Sequence, residues 1–174
     1  MIFTKGKCKG VFVIEPEKIE DERGFFARTW DQKKFEEFGL DSRLVQCNIS
    51  YNKKSGTIRG MHYQISPYEE AKLVRCTKGK VFEVMIDLRP ESDTFRKWES
   101  VELSSENYKM LYVPKGFALG FQTLEDNTEL FYQMSEEFKP EYARGILWND
   151  PVFQISWPLK PTIISQKDLS YKAL

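Results

Sequence analysis

Short apolar runs separated by turn residues recur along the whole chain, and this pattern constrains the fold more than any other feature. Runs of this kind, bounded by Gly, Pro, Asn or Asp, are typical of β-strands. The turn Lys78–Gly79 predicts that the strands on its two sides pair as a hairpin. The predicted strands cover residues 10–14, 25–30, 44–51, 57–64, 72–77, 80–88, 99–103, 109–113, 117–123 and 129–134.

Two segments have helical patterns. Residues 31–38 predict a helix with Asp31 as its N-cap and Gly39 after its end. Residues 165–171 predict a short helix near the C-terminus. With roughly ten strands and no internal repeat, the chain is predicted to be all-β, a jelly roll or β-sandwich with a few short helices.

Charge and cysteine content exclude several classes of protein. The chain has 26 Lys and Arg against 26 Asp and Glu, and it has no run long and apolar enough to span a membrane. We therefore predict no nucleic-acid partner and no membrane partner. Three widely spaced cysteines without a CxxC motif indicate reduced thiols in a cytoplasmic protein. A length of 174 residues suits one domain, covering residues 1–174.

His62 is the only histidine in the chain. Imidazole titrates near neutral pH and is the usual general base in enzymes, although a lone histidine without neighbours of interest is as often a packed or exposed residue. A single histidine leaves no histidine cluster for a metal ion, so we predict no metal site. Arg59 and His62 point to opposite faces of a regular strand, so both can face one pocket only if the strand bulges, and Gly60 is the natural place for a bulge.

An ordered set of segments carries a resemblance that covers nearly the whole chain. The segments are Asp21–Phe26, Gln46–Asn48, Arg59–Gln64, Lys72–Val74, Asp87–Arg89, Pro114–Ala118, Tyr132, Trp148–Pro151, Trp157–Pro158 and Lys167–Asp168. In this order and spacing they resemble the dTDP-4-dehydrorhamnose 3,5-epimerase family. The resemblance implies a cupin jelly roll without metal or other cofactor. It also implies epimerisation of a nucleotide-diphospho-4-keto-6-deoxyhexose at C3, C5 or both, in the synthesis of deoxysugars for surface polysaccharide.

The resemblance also assigns catalytic roles. C3 and C5 flank the ketone, so their protons are acidic enough for a positioned base, and the enolate that forms needs a cation or a hydrogen-bond donor. The resemblance implies that His62 is the base, Asp168 its carboxylate partner, Tyr132 the acid on the opposite face, and Lys72 the group near the carbonyl. Judged without the resemblance, Tyr132 is as readily a core tyrosine, and Asp168 and Lys72 are more readily solvated surface residues.

Further residues are implied to bind the substrate. Guanidinium groups match phosphate oxygens, and two alternating side chains of one strand share a face. The diphosphate is assigned to Arg23 and Arg59, the nucleotide side to Gln46 and Asn48, and base stacking to Phe138. The full implied substrate-binding set is Arg23, Arg28, Gln46, Asn48, Arg59, Leu119, Phe138 and Lys167.

Three positions depart from the pattern of the family. Leu119 stands where the family usually has a histidine, and Arg28 where it usually has a glutamate near the nucleotide. Glu83 replaces a common aspartate, which we interpret as a minor drift. Asp87 and Arg89 fall in a segment that is characteristic of the family and are assigned structural roles.

These departures leave alternatives open. The substrate is linked to dTDP or to CDP, and the enzyme acts on both carbons, on one carbon, or as a ketoisomerase. A sugar-nucleotide-binding cupin without turnover is another alternative, although it has no need for His62, Tyr132 and Asp168 together. The resemblance further implies a homodimer in which an N-terminal strand is lent to the partner, so that each pocket draws residues from both subunits.

Overall fold

Two antiparallel β-sheets facing each other form the protein in the computed structural model, which describes residues 1–174. The strands are β1 (Ile2–Lys5), β2 (Phe12–Glu15), β3 (Lys18–Asp21), β4 (Gly24–Ala27), β5 (Gln46–Asn52), β6 (Thr57–Gln64), β7 (Lys72–Lys78), β8 (Lys80–Asp87), β9 (Trp98–Ser104), β10 (Met110–Val113), β11 (Phe117–Thr123), β12 (Thr128–Met134), β13 (Ala143–Gly145) and β14 (Ile163–Ile164). The helices are α1 (Gln32–Glu37) and α2 (Gln166–Leu169). The all-β prediction is confirmed.

The strand order explains how the sheets are built. The first sheet runs β1-β2-β10-β7-β12-β5, and the second runs β13-β6-β11-β8-β9, with β14 added to β6 in parallel. Strands β3 and β4 form a separate antiparallel hairpin. Neither helix has the length and apolar composition that crossing a bilayer requires.

Strand β8 shows how the core forms. Val81 and Met85 point toward the first sheet and join the main cluster between the sheets. Val84 and Ile86 point the other way and pack against Phe153 in a second cluster. Because side chains alternate along a strand, β8 is buried on both faces, and its sequence is therefore almost continuously apolar.

Helix α1 covers part of the outer face of the first sheet. Asp31 caps it by accepting a hydrogen bond from the Lys34 N–H at 3.2 Å, and Gly39 adopts a positive φ just after its end. Phe35 is buried in a cluster that includes Tyr112. Burying such a side chain stabilises the fold by about 1.5–3 kcal/mol. The predicted helix, its cap and its end are confirmed.

The predicted hairpin around Lys78–Gly79 is wrong. Strand β7 pairs with β10 and β12 in the first sheet, whereas β8 pairs with β9 and β11 in the second. The turn therefore carries the chain from one sheet to the other. A glycine turn between two apolar runs signals a reversal of the chain, but it does not say whether the two runs bond to each other.

All ten predicted strands occur, eight of them with shifted ends, and four more were missed. Strand β3 is exposed at all four positions and has no apolar alternation, and β4 ends at Ala27 rather than extending to residue 30. Strand β1 lies at an edge of its sheet, and β13 and β14 contain only three and two residues. Such strands are defined by their pairing partners and leave little local signal.

A saturated ionic cluster closes one end of β8. Asp87 is fully buried and accepts hydrogen bonds from the Arg89 guanidinium at 2.7 and 2.8 Å and from the hydroxyls of Ser92 and Thr94 at 2.6 Å each. Burial raises the pKa of Asp87, but these donors outweigh burial and lower its pKa to about 2. This cluster of hydrogen bonds fits the structural roles expected for Asp87 and Arg89.

Candidate active site

An open cleft of about 1080 Å³ lies between the two sheets. Its walls are β5, β7 and β12 on one side and β6, β11 and β13 on the other. Such a volume slightly exceeds the range of about 300–1,000 Å³ that is typical of small-molecule sites. Ten of the twelve predicted site residues line it: Gln46, Asn48, Arg59, His62, Lys72, Leu119, Tyr132, Phe138, Lys167 and Asp168.

A β-bulge brings Arg59 and His62 to the same cleft. His62 pairs with Leu119 and Arg59 with Phe121, so three steps along β6 face two steps along β11. Gly60 lies within the bulge with a φ of 119°. A Cβ at Gly60 would lie 2.6 Å from the backbone of β11, so only glycine fits there. The predicted bulge is confirmed.

His62 is paired with a buried carboxylate. Its Nε2 lies 2.6 Å from Oδ1 of Asp168, and the Asp168 side chain is 4% exposed against 42% for His62. Burial raises the pKa of Asp168, but hydrogen bonds from His62, the Gly60 N–H and Ser165 outweigh burial, so its pKa lies below the ordinary value. An ionised carboxylate in this position orients the ring, stabilises an imidazolium and leaves Nδ1 for a substrate.

Helix α2 supplies the carboxylate. Ser165 caps this helix by accepting a hydrogen bond from the Asp168 N–H at 3.0 Å. The second oxygen of Asp168 accepts the N–H of Gly60, 3.4 Å away in the bulge. The same short helix is thereby docked on the strand that carries His62, and the acid and the imidazole are fixed together.

Tyr132 and Lys72 occupy the opposite wall. Burial raises the pKa of Tyr132, the charge of Arg59 opposes this, and the charge of Glu70 adds to it, so the phenol keeps its proton at neutral pH. The Lys72 Nζ lies 2.7 Å from Oε1 of Glu70, and both side chains are largely buried. A phenol donor and an ammonium group therefore face the imidazole from the other sheet.

The cleft also presents groups suited to a nucleotide diphosphate. Gln46 and Asn48 alternate on the inner face of β5. The side-chain oxygen of Gln46 accepts the N–H of Phe138 at 2.9 Å, and the Phe138 ring is half exposed. The Arg59 Nε donates to Asn52 Oδ1 at 2.8 Å, which holds the guanidinium between the two sheets.

Arg23 and Arg28 do not reach the cleft within one chain. Arg23 lies at the turn of the β3–β4 hairpin and bonds Asp21, and its side chain is 84% exposed. Arg28 follows β4 and pairs with Asp31 at 2.8 Å. The prediction for these two rested on the resemblance alone, and their own chain engages both in local ion pairs.

Glu83, Glu70 and Tyr171 are among the lining residues that were not predicted as site residues. Glu83 is 1% exposed, and its Oε2 has no hydrogen-bond partner. Burial raises its pKa to about 8, although the charge of Lys72 opposes the rise. A carboxylate in the middle of the mostly apolar run of β8 was a usable signal for Glu83. Glu70 lies outside any periodic segment, and Tyr171 is the last residue of the predicted C-terminal helix, where nothing marked it as a site residue.

A family model and a curated relative that match this chain name the same family. Residues 5–174 match the family model described as dTDP-4-dehydrorhamnose 3,5-epimerase. A relative of that name from Shigella flexneri is 44% identical over 171 residues, which are 98% of this chain and 94% of the relative.

Two solved structures superpose over almost the full length. The dTDP-4-dehydrorhamnose 3,5-epimerase from Bacillus anthracis str. Ames, with TDP and PPi bound, has a TM-score of 0.96 at 37% identity and 99% coverage of both chains. A dTDP-6-deoxy-D-glucose-3,5-epimerase from Legionella pneumophila, in complex with dTDP-4-keto-L-rhamnose, has a TM-score of 0.92 at 37% identity. The match covers 99% of this chain and 92% of that one.

Proposed function

This chain belongs to the dTDP-4-dehydrorhamnose 3,5-epimerase family, and we propose that its cleft epimerises a dTDP-linked 4-keto-6-deoxyhexose by proton transfer between its two walls. The observation that carries this proposal is the His62–Asp168 pair at 2.6 Å, which faces the protonated phenol of Tyr132. Formation of a deoxysugar for surface polysaccharide is the pathway we assign to it.

His62 acts as the base. The hydrogens at C3 and C5 are acidified by the neighbouring ketone, and Nδ1 of His62 has no partner within the protein. Once the imidazole takes the proton, the ionised Asp168 stabilises the positive charge on the ring. Because the hydrogen bonds to Asp168 outweigh its burial, the carboxylate stays ionised throughout.

Lys72 and Tyr132 complete the reaction. The enolate oxygen needs a preorganised positive group, and the Lys72 ammonium, held by Glu70, is suited to that role. Tyr132 then donates its proton to the carbon from the opposite face. Removal on one face and return on the other invert the carbon.

The remaining polar residues hold the nucleotide diphosphate. We assign the diphosphate to Arg59, whose guanidinium is already fixed by Asn52. Gln46 and Asn48 face the nucleoside, and Phe138 offers a half-exposed ring for stacking on the base. Lys167 also lines the cleft and adds a positive charge.

Arg23 and Arg28 are assigned to the cleft of a second subunit. Neither reaches its own cleft, and the hairpin that carries Arg23 also exposes Ile19, Phe25 and Phe26. An exposed apolar hairpin with a cation at its turn suits an arm that covers a partner. The proposal is therefore a homodimer, which light scattering during size-exclusion chromatography tests.

A narrower reaction has one observation in its favour. Leu119, 8% exposed, lies directly opposite His62 across the β6–β11 pairing and offers no hydrogen bond to the sugar. This favours epimerisation at one carbon rather than two as the second candidate function. A CDP-linked substrate is tested in the same experiment.

The test is an NMR time course in heavy water with dTDP- and CDP-linked 4-keto-6-deoxyglucose offered in parallel. The wild type should incorporate deuterium at C3, C5 or both and invert the labelled carbon. His62→Asn should reduce exchange by about 10²–10⁴-fold, the usual contribution of a general base. Tyr132→Phe should keep exchange and lose inversion, because the base remains and the opposing acid does not.

Tyr108→Phe is the matched control, since Tyr108 is a half-exposed tyrosine outside the cleft. Its variant should behave as the wild type. Wild-type exchange at neither carbon with either nucleotide, or full exchange by His62→Asn, would overturn the proposal.

A further inference from the structure

The two flanks of His62 on the second sheet are filled differently. On one side of β6, strand β11 places the Leu119 side chain opposite His62. On the other side, strand β13 places Gly145 opposite His62. The space beside Gly145 is taken by the ring of Tyr171, because a Cβ at Gly145 would lie 2.2 Å from the Tyr171 Cε2. A residue from the C-terminal tail thus supplies the side chain that β13 lacks.

Tyr171 meets the imidazole edge to face. The two ring centroids are 6.0 Å apart, with 71° between the ring planes. This is a preferred arrangement for aromatic pairs. Tyr171 also lines the cleft, so its ring contacts both His62 and Gly145 at the cleft wall.

The tail that carries Tyr171 is fixed on both sides. Before it, Ser165 caps α2 and Asp168 bonds the bulge of β6. After it, the Leu174 N–H donates to Oδ2 of the buried Asp150 at 2.7 Å. The position of the ring therefore follows from three anchors in the tail and does not depend on the ring alone.

We propose that Tyr171 is a positioning residue for the base, whose ring restricts rotation of the His62 imidazole and shields its bond to Asp168 from water. This inference rests on the proposed role of His62. Asp168 fixes one nitrogen of the imidazole. The His62 side chain is nevertheless 42% exposed, so packing contacts on both sides of the ring are needed to restrict its rotation. Leu119 forms one wall, and Tyr171 forms the other.

Gly145 makes this arrangement possible. The Tyr171 ring lies against a strand position without a side chain, and any larger residue would push it away from His62. Gly145→Ala therefore displaces the ring without altering His62, Asp168 or Tyr171 themselves. It is a second and independent way to remove the wall.

Three variants test the proposal. Tyr171→Phe keeps the ring and should keep the wild-type kcat. Tyr171→Ala should lower kcat about tenfold, because small misplacements of a base are costly, and should change KM less. Gly145→Ala should lower kcat to a similar extent. The double variant Gly145→Ala/Tyr171→Ala should have the same kcat as Tyr171→Ala, because both changes remove the same contact.

The single histidine gives a readout independent of turnover. In the wild type, ¹⁵N NMR of the imidazole should show one tautomer, protonated at Nε2, because that nitrogen donates to Asp168. Tyr171→Ala should show averaging between ring states, and Tyr171→Phe should not. A merely structural role for Tyr171 would leave this spectrum unchanged in the folded variant.

Wild-type kcat and an unchanged ¹⁵N spectrum in Tyr171→Ala would overturn the proposal, as would an equal loss in Tyr171→Phe, which would assign the role to the hydroxyl. Full exchange by His62→Asn would instead overturn the proposed role of His62 as the base. The two failures are therefore distinguishable.

Discussion

Asp87 and Glu83 lie four residues apart on the same inward face of β8, and their environments are opposite. Asp87 is surrounded by donors from Arg89, Ser92 and Thr94, and its pKa is lowered to about 2. Glu83 is equally buried but has an oxygen without a partner, and its pKa is raised to about 8.

The difference separates scaffold from site. A buried carboxylate with all its hydrogen bonds made fixes the chain around it, whereas an unsatisfied one costs stability. Proteins tolerate that cost mainly at functional sites. Glu83 lies at the cleft and Asp87 does not. The unsatisfied carboxylate of β8 therefore belongs to the site, and the satisfied one stabilises the fold.

The largest effect is expected from breaking the satisfied cluster. Asp87→Asn leaves the Arg89 guanidinium and two hydroxyls short of an acceptor and should lower the free energy of unfolding by about 3–5 kcal/mol. Because the folded pKa of Asp87 is depressed, its contribution is present above the ordinary pKa and is lost as pH falls toward 2. Urea unfolding at several pH values measures both.

Asp126→Asn is the control for Asp87→Asn. Asp126 pairs with Lys54 at the surface, and its side chain is half exposed. Its loss should cost far less stability than the loss of Asp87, because exposed ion pairs contribute little. Equal losses from the two variants would contradict the contrast between them.

Glu83→Gln should have a smaller effect of the opposite sign. A raised folded pKa means that the folded protein holds a proton that the unfolded chain releases, so wild-type stability falls as pH rises from about 4.5 to about 8. The neutral Gln removes this loss and should stabilise the protein by on the order of 2 kcal/mol near pH 8, and by little near pH 4.

Thermal melts across this pH range measure the effect of Glu83→Gln. Glu102→Gln on the neighbouring strand β9 is the matched control, since that side chain is half exposed. It should leave the pH dependence unchanged. If Glu83→Gln destabilises the protein equally at all pH values, Glu83 is a satisfied residue and the contrast with Asp87 fails.

The smallest effect refines the cluster at Asp87. Thr94→Val removes one of its donors, at 2.6 Å, and should cost about 1 kcal/mol. Thr77→Val removes an exposed hydroxyl on β7 and should cost less. Chemical denaturation compares the free energies of unfolding of the two variants. A larger loss of stability in Thr77→Val than in Thr94→Val would contradict the stabilising role of the hydrogen bonds to Asp87.

The sequence predicted the elements better than their partners. The alternation in β6 and β11 and the cap at Asp31 are local signals. The odd spacing of Arg59 and His62 required a bulge if both residues were to face one pocket, and the bulge is present. The pairing of β7 and β8 was wrong, because hydrogen bonding between strands depends on distant segments.

The site divides in the same way. Its chemistry was predicted from ordered motifs around His62 and Lys72, which keep their spacing in the sequence. Tyr171 was not predicted, because its position depends on Gly145 and on tail contacts that no local pattern records. Glu83 was seen only as a substitution, since its missing partner becomes apparent only in three dimensions.

Consecutive strands from β5 to β13 are distributed back and forth between the two sheets, with only β8 and β9 as neighbours. A chain emerging from the ribosome therefore cannot finish either sheet early, because β12 completes the interior of the first and β13 the edge of the second. Topologies dominated by distant pairings fold in milliseconds to seconds rather than microseconds. Synthesis must pass residue 145 before both sheets can close, so the nascent protein spends most of its elongation with unpaired strand edges that a chaperone can bind.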